Sequence, residues 1–332
     1  METIFLQKPT ERLQLKEGQL ICSEGDTVAG VYPIHSTEQV LVYGNSQITT
    51  QALKACLQEG IRVVYFNQYG KYLGRLEPDY PKNIKRRLCQ YALYLDHSRR
   101  LSWSKNLLRA KLHGDLVEIR RLHEQGFDFP YKILHKSLRL GWKRIGEAGD
   151  LDELRGIEGF YAREYYGCFA YVLPEHIHWN GREYHPAPDT ANAVLSLIYG
   201  CCANEIRNIF EQHSVDHQCG FLHEPGYHGG GLAYDLLEVV RATICDHFVI
   251  TLLHRKKFRK VSAAVDPETG EKRLGAVWRK AICEEFRSYL DIRYRRQTMS
   301  GRECLRKLVL EYILSLENNL IDPDFQKILP HR

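Results

Sequence analysis

The chain has 332 residues, 44% of them hydrophobic and 26% charged, with a net charge of +5. That composition suits a soluble protein with room for two domains and a full core. It holds no run near the roughly 20 apolar residues that cross a bilayer, and METIFLQKPTERLQ lacks the parts of a signal peptide, so a cytoplasmic protein without a membrane partner is expected.

In chain order, the first 78 residues are strand-like. RLQLKEGQLICSEG, GVYPIH, QVLVYGNSQIT and IRVVYFNQYGKYLGRL are short β-rich runs broken by Gly, Asn and Asp. One helix interrupts them, over TTQALKACLQEG (49–60), with Ala52, Leu53, Ala55, Cys56 and Leu57 at helical spacing and a stop at Gly60. EPDYPKN (77–83) then supplies two prolines and marks a boundary. Beyond it the periodicity turns helical, through NIKRRLCQYALYLDHSRRLSWSKNLLRAKLHGDLVEIRRLHEQG and again in TANAVLSLIYGCCANEIRNIFEQH. DPETGEKR (266–273) reads as an exposed loop. The expected fold class is α+β: a β-domain over 1–78, a linker over 79–92 and a larger, mostly α-helical domain over 93–332.

Charge is unevenly spread. Residues 1–80 carry 7 Lys+Arg against 9 Asp+Glu, and the remainder 39 against 32. The basic excess lies in KNIKRR (82–87), KSLRLGWKR (136–144), HRKKFRK (254–260) and RYRR (293–296). Any one run reads as a solvated face, whereas several in one half of a chain suit a polyanion such as nucleic acid. The ten cysteines form no C-x-x-C pair, which points away from zinc sites and disulfide frameworks and toward small buried residues or free thiols.

The chemistry concentrates in GFLHEPGYHGGGLAYDLLEVVR (220–241). A zinc-protease H-E-x-x-H is excluded at His223-Glu224, because Pro225 and Gly226 break the turn and Tyr227 stands at the second histidine position. HGGG at 228–231 has no G-x-S-x-G nucleophile to serve, and neither a dinucleotide fingerprint nor a P-loop occurs. Asp235 and Glu238 remain, three apart on a helix and so on one face. They suit a cradle for Mg²⁺ or Mn²⁺; equally, they suit ordinary pairing with Arg241. Glu158, set between glycines in LRGIEGFYAREYYGCFAYVL, needs a partner, which Arg155, Arg163 or a metal could supply.

Four segments resemble one family: the CRISPR-associated integrase and endonuclease of spacer acquisition, the first-numbered Cas protein. YGNSQITTQALKACLQEGIRVVYFNQYGKYLGRL is similar to its β-domain, and RRLCQYALYLDHSRRLSWSKNLLRAKLHG to the helices after its linker. GIEGFYAREYYGCF resembles the segment bearing its metal-binding glutamate, and NAVLSLIYGCCANEIRNIF with GFLHEPGYHGGGLAYDLLEVVR its signature region. The sequence departs from the family pattern at Val239, Val240 and Ala242, which leaves the ligands in place and the subtype open.

The resemblance implies metal ligands at Glu158, His223 and Glu238, with Asp235 a neighbouring catalytic acid and Mn²⁺ or Mg²⁺ the cofactor. It implies phosphodiester chemistry on double-stranded DNA, by water in cleavage or a DNA 3′-hydroxyl in integration, serving insertion of foreign fragments into a CRISPR array for antiviral defence. It also implies a homodimer through the β-domains, joined by the small second-numbered Cas protein. Arg86, Arg87, Lys256, Lys257 and Arg259 are the expected phosphate contacts. A repair nuclease or a catalytically silent DNA-binding scaffold are the alternatives.

Overall fold

Residues 2–67, 72–76, 83–183, 187–224, 231–265, 272–292 and 299–318 are described by a computed structural model, and the chain divides into Met1–Tyr80 and Pro81–Arg332. In the first unit β1 (Glu2–Leu6), β2 (Glu11–Lys16), β3 (Gln19–Glu24), β4 (Thr27–Pro33), β5 (Thr37–Tyr43), β6 (Gln47–Ile48), α1 (Thr50–Gln58), β7 (Arg62–Phe66) and β8 (Tyr72–Leu76) follow in order. They form two four-stranded sheets, β1-β5-β7-β8 and β4-β3-β2-β6.

The β2–β3 hairpin turns on Glu17 and Gly18, both at positive φ (51° and 73°), the twist that suits a two-residue connection. Strands β5 and β7 run parallel, so the chain needs a crossover, and α1 supplies it. The Thr49 hydroxyl caps α1 by accepting from the Ala52 amide, and Gly60 at φ 76° lets the chain turn away. Ile4, Leu6, Leu13, Leu20, Val40, Val42, Cys56 and Val63 meet in an apolar core.

The second unit is helical: α2 (Ile84–Leu95), α3 (His97–Glu124), α4 (Tyr131–Glu147), α5 (Leu151–Gly167), α6 (Phe169–Val172), α7 (Thr190–Gln212), α8 (Gly231–Val240), α9 (His247–His254), α10 (Ala276–Asp291) and α11 (Gly301–Glu317). Its one described sheet is the hairpin of β9 (Ala263–Val265) and β10 (Lys272–Leu274). A β-rich first unit followed by a mostly helical second is the fold class expected. Of the stretch expected as linker, residues 84–92 lie in α2, while 79–82 are outside the described residues, as are 293–296 and most of the loop expected at 266–273.

Two features of the helical unit position the site. Helix α8 is buried on nearly every side, with only Tyr234 exposed, and it runs through a π-helical stretch (Arg241–Asp246) into α9. Such wide turns are rare and concentrate at functional sites. Helix α3 is the other feature. Its buried stripe begins with Trp103 and Leu107, turns charged at Lys111, Asp115 and Glu118, and returns to Ile119 and Leu122.

Candidate metal centre

The segment that carries His223 is irregular backbone inside the helical unit, so its polar groups need partners from neighbouring elements. Four elements provide them. From α2, the Gln90 amide donates to the carbonyls of Asp216 (2.7 Å) and Cys219 (3.2 Å) and accepts from the Asp216 amide (3.0 Å). Arg100 of α3 donates to the Phe221 carbonyl at 2.8 Å, and Arg155 of α5 to that of Leu222 at 3.1 Å.

The fourth partner is Asp235 on α8, which is fully buried. Its Oδ2 accepts from the amides of Phe221 (2.6 Å) and Leu222 (3.1 Å), and its Oδ1 from the amide of His223 (2.9 Å). The same Oδ1 lies 2.7 Å from His223 Nδ1. Every lone pair of this carboxylate is therefore directed at the His223 segment. The ring is held by Nδ1, so Nε2 is the nitrogen that a metal could use. Burial pulls the imidazole pKa down, but the Asp235 hydrogen bond and charge, with Glu238 and Glu158 beyond, outweigh it and set it above the ordinary 6.5.

Two glycines make this approach possible. A Cβ on Gly220 would strike the His223 carbonyl oxygen and the Gly231 backbone, and a Cβ on Gly231 would stand 2.8 Å from that same oxygen. The start of α8 and the His223 segment can pack backbone to backbone only with hydrogen at both positions. Pro225, Gly226, Tyr227 and the first three residues of HGGG lie outside the described residues.

Glu238, one turn beyond Asp235, turns elsewhere. Its Oε1 accepts from Arg241, and its Oε2 is 2.9 Å from the Lys111 ammonium without accepting a hydrogen bond. Lys111 also pairs with Glu158 of α5, so one buried cation sits between the two carboxylates. Neither Arg155 nor Arg163, the partners suggested by sequence, fills that place; Arg155 instead bonds Asp152 and Glu224. Burial raises the Glu238 pKa, and the charges of Arg241, Lys111 and His223 bring it below the usual glutamate value.

Behind these residues lies a second layer of buried charge. Burial pushes Asp115 up to about 7 despite Lys111 and Arg241, and Asp246 up to about 6 despite Arg241 and the Tyr199 hydroxyl that donates to it. Tyr199 is in turn 2.6 Å from the Tyr166 hydroxyl, and the Arg241 guanidinium covers both rings. Glu118 meets His247 Nδ1 at 2.8 Å and Arg121 at 3.2 Å. The sequence reading includes the pairing of Arg241 with a helix acid, which Glu238 fulfils, but not Lys111, Asp115, Glu118 or Asp246. The signal was there: 111, 115 and 118 share the helical face of Trp103 and Leu107, where charge is costly.

The site is suited to a divalent metal, on the chemistry of its donors. Two carboxylates, from α5 and α8, converge on one buried cation, the Lys111 ammonium, and an imidazole held through Nδ1 stands in the field of both. Among the described residues no three His, Cys, Asp or Glu side chains form a ready ligand set, since the ammonium occupies the space between Glu158 and Glu238.

The expected phosphate contacts are dispersed. Arg86 is engaged inward, with Glu317 at 2.7 Å and the His213 carbonyl at 3.0 Å, and Arg87 is half-buried. Lys256 and Arg259 are exposed, while Lys257 pairs with Glu285 at 2.9 Å. No described helix is long and apolar enough to cross a membrane.

The family profile described as CRISPR associated protein Cas1 matches residues 4–288. A curated relative, CRISPR-associated endonuclease Cas1 3 of Thermus thermophilus, is 29% identical over 290 residues, covering 87% of this chain and 84% of its own. Among solved structures, a casposase bound to integration product superposes with a TM-score of 0.81 at 21% identity, covering 98% of this chain and 94% of that one. A Cas6-RT-Cas1–Cas2 complex gives 0.78 at 18% identity, covering 98% of this chain and 36% of that one. The family resembled by the motifs is thus the family matched along most of the sequence, and the chain belongs to the Cas1 family of CRISPR-associated proteins.

Proposed function

We propose that this chain is a divalent-metal-dependent DNA endonuclease and integrase that inserts short foreign DNA fragments into a CRISPR array, with Glu158, His223 and Glu238 as its metal ligands. The observation that carries this reading is the convergence of two carboxylates, from α5 and α8, on one buried cation beside an imidazole fixed by Asp235. When bound, Mn²⁺ or Mg²⁺ would supply Lewis acidity at the scissile phosphate. The chain's own residues do the rest. Asp235 fixes the His223 ring through Nδ1 and ties residues 221–223 to α8. Arg241 and Lys111 keep Glu238 ionised inside the core.

Residues 93–332 form the catalytic domain in this reading, and the β-domain over 1–78 mediates homodimerisation. Edge strand β4 supports the latter, because its Val28 and Val31 are exposed. The solved neighbour that contains Cas1 and Cas2 together supports assembly with the second-numbered Cas protein. Exposed Lys256 and Arg259 are the best-placed of the expected contacts to duplex phosphates.

Strand transfer and cleavage of duplex DNA in Mn²⁺ test the reading. Wild type should perform both, and His223→Ala, which removes an imidazole from a half-exposed position, should perform neither while melting like wild type. A folded His223→Ala with wild-type rates would overturn the assignment.

A further inference from the structure

Away from the metal centre, two half-buried cysteines face each other from helices distant in sequence. Cys201 on α7 and Cys283 on α10 bring their sulfurs to 3.5 Å. Cys283 is flanked by Arg279 and Arg287, one turn to either side on the same face of α10. The hydrogen bond from Cys201 lowers the Cys283 thiol pKa, burial opposes it, and the charges of Arg287 and Arg279 assist, for a net shift below the usual value. A half-buried cysteine whose thiol touches a second thiol between two guanidinium-bearing residues has the surroundings of a reactive cysteine, not of an inert core residue.

We propose that Cys201 and Cys283 are a reversible thiol pair that closes to an intramolecular disulfide by exchange with a low-molecular-weight disulfide such as oxidised glutathione. The Cys283 thiolate, its proton released to solvent, attacks one sulfur of the oxidant; that S–S bond breaks and one small thiolate leaves. Cys201 gives its proton to the departing thiolate and attacks the Cys283 sulfur, expelling the second small thiolate, which takes a proton from solvent. One disulfide is consumed, one is formed, and two small thiols are released. The sulfurs must close to the bond length of about 2.05 Å, a movement of roughly 1.5 Å within reach of side-chain rotation.

The bond would join α7 to α10 and enclose residues 201–283, the stretch that contains His223, Asp235, Glu238 and the π-helical turn. Closing so long a loop restricts the unfolded chain and should raise the melting temperature by roughly 10 °C. Three cysteines of the same unit, on α7, the π-helical stretch and α11, supply an internal comparison. Cys202, Cys245 and Cys304 are buried, and burial holds the Cys245 thiol far above its usual pKa and pushes Cys304 up to about 12. They should stay reduced.

The experiment incubates the full chain with oxidised glutathione, then combines non-reducing proteolysis with mass spectrometry and a thiol count after unfolding. The expected result is a linked Cys201–Cys283 peptide pair, two of the ten thiols lost to that bond apart from any glutathione adduct on the exposed Cys89, a raised melting temperature and full reversal by dithiothreitol. Cys201→Ser should accumulate glutathione on Cys283, because no second thiol resolves it. Cys201→Ser and Cys283→Ser should each melt like reduced wild type, so that a missing bond is not a folding failure. Ten unreacted thiols, a glutathione adduct that persists on wild-type Cys283, or linkage of other cysteines with this pair still reduced would each overturn the proposal.

Discussion

The two units bury different kinds of residue. In the first, Ile4, Leu6, Leu13, Leu20, Val40, Val42 and Val63 form an apolar cluster, and the one charged side chain buried among the described residues is Arg62, beside the polar Thr37 and Gln39. In the second, the apolar stripe of α3 is interrupted by Lys111, Asp115 and Glu118, which face Glu238, Arg241 and Asp246 across the core. Each buried ion costs several kcal/mol of desolvation, and pairing seldom recovers more than that. Stability alone would select the first kind of core. The second trades stability for charges held in fixed places, the arrangement that the proposed metal site would use.

Replacing residues in the two cores should separate these purposes, and the largest contrast is at Glu238. Glu238→Ala leaves the Lys111 and Arg241 cations without their shared carboxylate, so the metal-free protein should lose about 3–5 kcal/mol in urea unfolding and all DNA cleavage. Leu13→Ala, in the first core, should cost a similar 2–5 kcal/mol through its cavity. Its cleavage per folded molecule should be unchanged. If Glu238→Ala unfolded like wild type, the buried charges would not be coupled as described.

A smaller effect is expected at Asp235, which touches the metal centre only through His223. Asp235→Asn keeps the shape but cannot accept all four hydrogen bonds, and should lower metal affinity or activity by about 10–100-fold, with partial recovery at high Mn²⁺. A variant dead at every metal concentration would give Asp235 a direct role. pH acts on the same residue. The His223 pKa is raised above 6.5, so its protonated form stabilises the metal-free protein below that pH, and this contribution is lost as pH rises through the raised value. Metal needs the neutral ring, so affinity should begin to fall while the pH is still above 6.5. An affinity independent of pH down to that point would remove His223 from the ligand set.

Much of this was legible in the sequence because local chemistry specified it. Thr49 and Gly60 bracket α1 with a cap and a stop, and the three-residue spacing of Asp235 and Glu238 places both on α8. The different duties of those two acids were not legible from spacing. Asp235 meets backbone 13 and 14 residues away, and Glu238 meets a lysine on another helix, both set by tertiary packing. Lys111 reads as a surface residue until α3 is seen to bury that face. The π-helical turn at Arg241–Asp246 has no sequence signature, although it sets Arg241 against Glu238. Charge runs do not show which of their cations already have partners, and Arg86 and Lys257 pair with Glu317 and Glu285.

The smallest effect follows from that occupancy. Lys256→Glu should reduce the salt dependence of duplex binding by about one ion, the slope expected for one lost phosphate contact. Lys257→Glu should change it less, because that ammonium already has a carboxylate partner. Equal effects from the two would mean that the Glu285 pair opens on DNA.

Direct measurement of Mn²⁺ binding by calorimetry, in the absence of DNA, addresses the central claim that Glu158, His223 and Glu238 share one cation. Wild type should bind one Mn²⁺ per chain at this site, Glu158→Gln, His223→Ala and Glu238→Gln should each weaken it by more than about 100-fold, and Asp235→Asn should fall within the 10–100-fold range of a residue acting through its neighbour. Wild-type Mn²⁺ affinity in all three ligand variants, each shown to be folded, would contradict it.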